Sequence, residues 1–472
     1  MMSHALDHII EKGILFLLIF SPLAFGSVQD WSAAVLEITA FTVVAAWALK
    51  QTFLETPPVQ KQAFLWFGAA FLVLAVIQIL PLPAAVLTTL SPSLGKLSRD
   101  ILPDSGLIFG SLSIAPGLTM DELFKLLAYA GIFFVAMHHY QERRQIERAI
   151  WAMIGTGVFV TVVALAQNMT WNGRLYWIYP VDPSITSNTD YIWGPYINHN
   201  HFAGYLEMVM PLGFGMFLYL VSKARGTHHR YDLAGLLRMM DQKNASRVVM
   251  AALGAVVMAA GIVICLSRGG ILGASAAIVV LLAMARSRKS LKKTTAILLA
   301  GGAILVSLFV IAAWDRIEDR FSQIGQEQKI IRPDIWRDAL GIVKDFPLLG
   351  TGLGTFGRID PKYQTKYSTL TFEHAENDYI ELLTDTGAVG IAIAIGAVML
   401  YLRAVYGQWK ERKNIFAISI ASAGVAAVSA ILVHSFTDFN SRIPANMITL
   451  AVIAGMTYAV VFNYRRSFGR ES

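Results

Sequence analysis

Twelve apolar stretches, each close to the length that crosses a bilayer, divide this 472-residue chain and leave it few ways to fold. A helical crossing takes roughly 20 residues at a rise of about 1.5 Å each. Hydrocarbon offers no water to backbone N–H and C=O groups, so each stretch has to satisfy its own, as a helix does. The apolar cores fall near 13–27, 31–49, 63–80, 123–138, 150–167, 202–221, 248–266, 270–285, 294–314, 385–402, 415–433 and 446–462, the fourth being the shortest. Only 15% of residues are charged and 55% are hydrophobic, whereas a soluble chain carries about a quarter charged residues. The reading is an all-α polytopic membrane protein with about 12 transmembrane helices, built as one transmembrane domain over residues 1–472.

Lysine and arginine placement sets the expected orientation. With the amino terminus in the cytoplasm, 24 of the 39 Lys and Arg lie in inner segments, six in short outer ones and nine in the long outer insert. Both termini are therefore expected inside. The first apolar run lacks a basic leader and a small-residue cleavage site, so it is expected to remain as an anchor. The basic balance reads as a topology signal with added attraction to anionic membrane lipids. Its scatter over separate loops argues against a nucleic-acid partner. The lone cysteine, Cys265, lies within a span and permits neither an intramolecular disulfide nor a cysteine-based metal site.

Three larger segments face outward, at 81–122, 168–201 and 315–386. The first, rich in Pro and Ser, looks like a folded cover. The second is aromatic and suits the bilayer–water interface, with stacking on sugar rings as the functional alternative. The third is the polar insert. Within it Arg332-Pro333 opens an expected amphipathic helix, with Ile335, Trp336, Ala339, Leu340 and Val343 on a face laid along the membrane surface. From His374 a second helix is expected to run into the tenth span, with His374, Asn377, Asp378, Glu381 and Asp385 on one polar side.

Four outward elements carry residue types suited to anionic chemistry. Ser267-Arg268-Gly269-Gly270 fills the turn between two adjacent spans, where Arg268 is either a snorkelling interfacial arginine or a ligand-facing one. Arg332 and Arg337 present the planar donor fork that matches phosphate oxygens, although Arg337 fits a solvated face paired to Asp334 or Asp338 equally well. The glycines of Leu349–Phe356 form a turn or, alternatively, an anion cradle. Either His374 or Glu376 could take a proton from an attacking hydroxyl. Glu37 and Glu207 sit in the outer parts of spans, where ionisable groups usually line a cavity.

These motifs are familiar in combination. Asn198-His-Asn200-His201-Phe-Ala-Gly204-Tyr-Leu-Glu207, then Ser267-Arg268-Gly-Gly, then Gly350–Phe356, then Glu376-Asn377 with nine residues before Gly387-Ala-Val-Gly390, resemble the O-antigen ligase and polymerase superfamily over about residues 190–405. The resemblance implies a bacterial inner-membrane glycosyltransferase with its active site at the periplasmic face, part of it carried by the loop 315–386. Such enzymes move a glycan from undecaprenyl diphosphate to a hydroxyl acceptor, either the lipid A core (ligases) or another lipid-linked glycan (polymerases). No cofactor and no metal is implied. Arg268 matches the family's arginine after the paired spans, and Arg332 or Arg337 the arginine early in the loop, both donor-diphosphate ligands. Asn200, His201, Glu207, Asn377 and Asp378 fall in or beside the matching blocks. The family's catalytic histidine precedes the asparagine; Glu376 stands in that place, with His374 two residues upstream. The base is thus Glu376 or His374. A lipid-glycan transporter or flippase, the reading of another class, would show pairs of basic residues deep in spans, and none is present.

Overall fold

The computed structural model describes residues 2–54, 60–101, 109–180, 193–225, 245–288, 291, 332–366 and 371–463. The ninth apolar stretch (294–314), the insert residues 315–331 and 367–370, and most of the basic inner loop (226–244) lie outside the described residues. Among the described residues helices dominate, and strands are confined to two short antiparallel pairs, Leu82–Pro83 with Phe109–Gly110 and Arg174–Leu175 with Tyr179–Pro180.

The other eleven apolar stretches are all helical. They lie in α1 (Met2–Leu23), α2 (Asp30–Phe53), α3 (Ala63–Ile79), then, beyond the short α4 (Ala84–Leu90) and α5 (Pro92–Ile101), in α6 (Pro116–His139), α7 (Arg143–Met169), α8 (His199–Arg225), α9 (Ala245–Ile264) and α10 (Arg268–Arg286). After α11 (Arg332–Asp345) and α12 (Phe356–Tyr363) come α13 (Asp378–Glu411), α14 (Ile415–His434) and α15 (Pro444–Phe462). Among the described residues, eight of these are long and apolar enough to cross a membrane: α2, α7, α8, α9, α10, α13, α14 and α15. The others fall short for plain reasons. Helix α3 has 17 residues, α1 carries Asp7, Glu11 and Lys12, and α6 opens with Asp121, Glu122 and Lys125.

Helix α8 is the axis of the bundle. Its apolar window is 89% buried, against 78% for α14 and α15, while α2 and α13 are 28% and 17% buried and face outward. Helices α8, α10 and α14 pack mutually, and α10 makes this possible by presenting Gly269, Gly270 and Gly273 to its neighbours.

A second, smaller core sits apart from the bundle. Leu87 and Leu94 of α4 and α5, with Leu112, meet Ile335, Ala339 and Ile342 of α11, Phe356 and Ile359 of α12, and Ala375. The Pro-rich segment is therefore half of a cap whose other half is the insert. The face of α11 expected to lie on the bilayer is instead largely turned into this cap core, where Ile335, Ala339 and Trp336 find apolar partners; Leu340 stays prominently exposed.

The cap is fastened at a break in α13. Gly387 adopts a left-handed conformation (φ 63°), and beyond it the helix restarts with Ala388 N–H and Val389 N–H donating to Pro347 O and Leu348 O. Before it, Thr351 N–H and Gly352 N–H donate to Thr384 O and Asp385 O, and Gly354 N–H donates to the Asp385 carboxylate. Buried Gln78, at the end of α3, donates to Leu349 O and Asp385 O and accepts from Leu353 N–H. A side chain on Gly350 or Gly387 would run into the opposing backbone, so glycine is required on both sides of the seam.

Candidate active site

The approach to α13 differs from the expected continuous helix. Asn377 is the N-cap, its side-chain oxygen accepting from Tyr379 N–H and Ile380 N–H, so the helix begins at Asp378 and His374 stands before it. Glu376 just ahead takes a left-handed backbone (φ 54°). Such a conformation in a glutamate costs on the order of 1–3 kcal/mol and persists where surroundings over-determine it. Here Trp336 Nε1–H donates to Ala375 O at 3.0 Å and Ala375 N–H donates to Glu381 at 3.0 Å, pinning the preceding residue.

The turn aims Glu376 at Arg332, whose guanidinium donates to it at 2.8 Å. Arg332 also stands 3.9 Å from Asp438, and His201 Nε2 lies 3.2 Å from the other oxygen of that fully buried carboxylate. Burial and the negative charge of Asp438 push the Glu376 pKa up from its ordinary value, against the pull of Arg332. For Asp438, burial acts upward but is outweighed by the hydrogen bond and charge of His201 and by the charges of His434 and Arg332, so its carboxyl is held well below the usual range.

His374 belongs to a different cluster. Its Nδ1 is 3.0 Å from Glu381, and its ring stacks on Phe439 at 4.1 Å. Burial would lower its pKa, but the Glu381 carboxylate prevails and the net shift is upward. Arg442 then grips Glu381 at 2.8 Å, Asp385 at 2.5 Å and Glu122 at 3.1 Å. Asp378 accepts from Ser435 Oγ at 2.7 Å and from Ser441, tying the start of α13 to both sides of the α14–α15 turn.

The remaining expected site residues separate into contributors and bystanders. Arg268 is the first residue of α10 and is exposed, with no ion pair to a described residue. Its neighbour Gly269 packs on His434 and Thr437, while Arg332 stands 3.9 Å from Asp438, so the turn 434–438 meets the first turn of α10 on one side and Arg332 on the other. Asn200 accepts from Ser267 Oγ at 2.7 Å, and Ser267 caps α10. Glu207 is fully buried with both oxygens 3.1 Å from His434 Nδ1. Arg337 turns away: it pairs with Asp334 at 3.0 Å on the solvated side of α11, and its side chain is 64% exposed. The N–H groups of Thr351, Gly352, Leu353 and Gly354 are all taken by the protein itself, so this run is the seam to α13 and not an anion cradle.

Four participants escaped the sequence reading: Glu122, His434, Asp438 and Arg442. A signal existed for three of them. His434, Asp438 and Arg442 recur at intervals of four around the turn between two spans, and a membrane-embedded Glu207 calls for a basic partner at its own depth.

No curated protein matches the chain. Residues 253–395, from α9 into α13 and so including Arg268, Arg332, His374, Glu376 and Asn377, match the family model described as O-antigen ligase, which bears out the likeness of this membrane-helical chain to the O-antigen ligase and polymerase superfamily.

Proposed function

We propose that the protein is an inner-membrane glycosyltransferase that moves a glycan from undecaprenyl diphosphate to a hydroxyl acceptor at the periplasmic face. In this reading both termini are cytoplasmic, twelve helices span, and the insert 315–386 is periplasmic. The observation that carries it is the Glu376–Arg332 pair, backed by Asp438 of the turn on which the first turn of α10 packs through Gly269. The acceptor O–H gives its proton to Glu376 as the oxygen bonds to the anomeric carbon. The anomeric C–O bond to phosphate breaks, and its electron pair stays on the diphosphate. Arg332 and Arg268 stabilise that departing charge, an electrostatic contribution that is often the largest in catalysis. Glu376 then releases its proton to water on the outer side.

Glu376 suits the base role better than His374. An upward shift brings a carboxylate toward neutral pH, where a base works best, whereas the same direction in His374 favours the charged imidazole, the form that cannot accept a proton. Whether the acceptor is a lipid A core or a second lipid-linked glycan decides between ligase and polymerase, and the glycan profile of a deletion strain separates them. Unligated long polymer on the carrier marks a ligase; single repeats mark a polymerase. The transfer assay in membranes tests the base: Glu376→Gln is expected to be inactive, and an active Glu376→Gln beside an inactive His374→Ala would assign the proton to the histidine.

A further inference from the structure

The intramembrane pair of Glu207 on α8 and His434 at the end of α14 has no part in the reaction as drawn, yet both side chains are fully buried. Burying charge between helices is costly, and apolar residues of like volume would join α8 to α14 as well. An ionisable group kept at such depth points to function. What rests on this pair is α10. Gly273 lies over the Glu207 carboxylate, with the Glu207 Cδ only 2.7 Å from where a methyl would stand. Gly269 lies over the imidazole, with Nε2 only 2.6 Å from the corresponding point. That Nε2 is buried and has no hydrogen-bond partner among the described residues, and it abuts the first turn of α10. One turn apart on the same face, the two glycines let α10 settle directly onto the pair. The third support is Ser267, which caps the helix and donates to Asn200 on α8. Arg268 follows immediately, exposed and unpaired to any described acid.

We propose that Glu207 and His434 are positioning residues for Arg268. The doubly contacted imidazole fixes the spacing of α8 and α14. The glycine face of α10 is seated on that spacing, and the seat sets the height and rotation of the turn that carries the guanidinium. The pair thereby controls where Arg268 meets the diphosphate of the donor. This last step rests on the proposed glycosyl transfer; the seating of α10 does not.

The experiment uses the full chain in nanodiscs with two readouts. In a Cys265→Ala background, nitroxides at Arg268→Cys and at exposed Met169→Cys report the position of the α10 turn by distance measurement. Glu207→Gln and His434→Gln, which keep side-chain volume and hydrogen-bonding capacity, are expected to shift that distance by about 1–2 Å, the scale of helix displacements in switching proteins, with Tm little changed. Binding of undecaprenyl diphosphate is then measured for Arg268→Ala, Glu207→Gln and the double variant. Each single change is expected to weaken binding about tenfold, with the double variant no weaker than Arg268→Ala, because a pair acting through Arg268 has nothing left to act on. An unmoved distance overturns the proposal whatever binding does, and so do effects that multiply in the double variant. If Arg268→Ala binds undecaprenyl diphosphate normally, the diphosphate reading fails at that residue, and the distance alone decides whether the pair seats α10.

Discussion

Two arginines of this molecule, one on α11 and one in the α14–α15 turn, are used in opposite ways. Arg442 is gripped by three carboxylates, Glu381, Asp385 and Glu122, and its side chain is 10% exposed. Those carboxylates hold its charge more firmly than in a free arginine, raising its pKa above the ordinary value even against burial. Arg332 has Glu376 at 2.8 Å and Asp438 only at 3.9 Å, with 37% of its side chain exposed. The first is saturated and joins α6, α13 and the α14–α15 turn. Among the described residues the second is under-satisfied and open, as a residue must be if it is to exchange a protein partner for a ligand. Saturation, more than charge or burial alone, separates the bolt from the tool.

The sharpest break of this contrast is removal of each arginine. Arg442→Met should cost the most stability, about 3–5 kcal/mol, because it leaves buried carboxylates facing one another. Thermal unfolding in detergent and yield in membranes read this directly. Arg332→Lys should leave Tm nearly unchanged and reduce transfer by about a hundredfold through lost fork geometry. Equal Tm losses for both variants would erase the distinction.

A second effect concerns pH. With Glu376 as base and its pKa raised, activity should fall as pH drops through that pKa, at a pH above an ordinary glutamate's. The charge of Asp438 contributes to that rise, so Asp438→Asn should move the acid limb to lower pH while also lowering the plateau. A limb that stays fixed would place the titrating group elsewhere. The smallest effect is reserved for Arg337. Its exposed pair with Asp334 belongs to a class worth about 0–1 kcal/mol, and Arg337→Ala should transfer glycan within about twofold of the parent. A large loss there would mean that both arginines of α11 serve the donor.

The parts legible in the sequence were those written in local pattern. Apolar runs announced the helices, and the prolines and serines of 81–122 announced a cover. Glu376, Asn377, Gly387 and Gly390 could be placed by their likeness to the superfamily's motif. What lay hidden was tertiary. That Arg332 rather than Arg337 meets Glu376 depends on how α11 is rotated against the cap core, which one helix's own periodicity leaves undetermined. His374 looked interchangeable with Glu376 until Asn377 started the helix after it and the left-handed turn sent the two side chains to separate partners. Arg442 could not be identified as a bolt from the sequence, because its three acids come from two distant helices.

The seam between the glycine run and the break in α13 has one more consequence. Because Leu348 to Gly354 is laced to residues 384–389, the break is a fixed datum, and Glu376 is held off from it by the nine helical residues Asp378–Thr386. That spacer acts as a gauge block of about 13–14 Å, at 1.5 Å per residue. Its length cannot drift: one residue added would advance Glu376 by a single rise and swing it about 100° around the axis, away from Arg332. The same residue added at 364–366, beyond α12, would leave the gauge intact. The outer segments can therefore change length without disturbing this geometry, while the interval between Glu376 and the break stays counted to the residue.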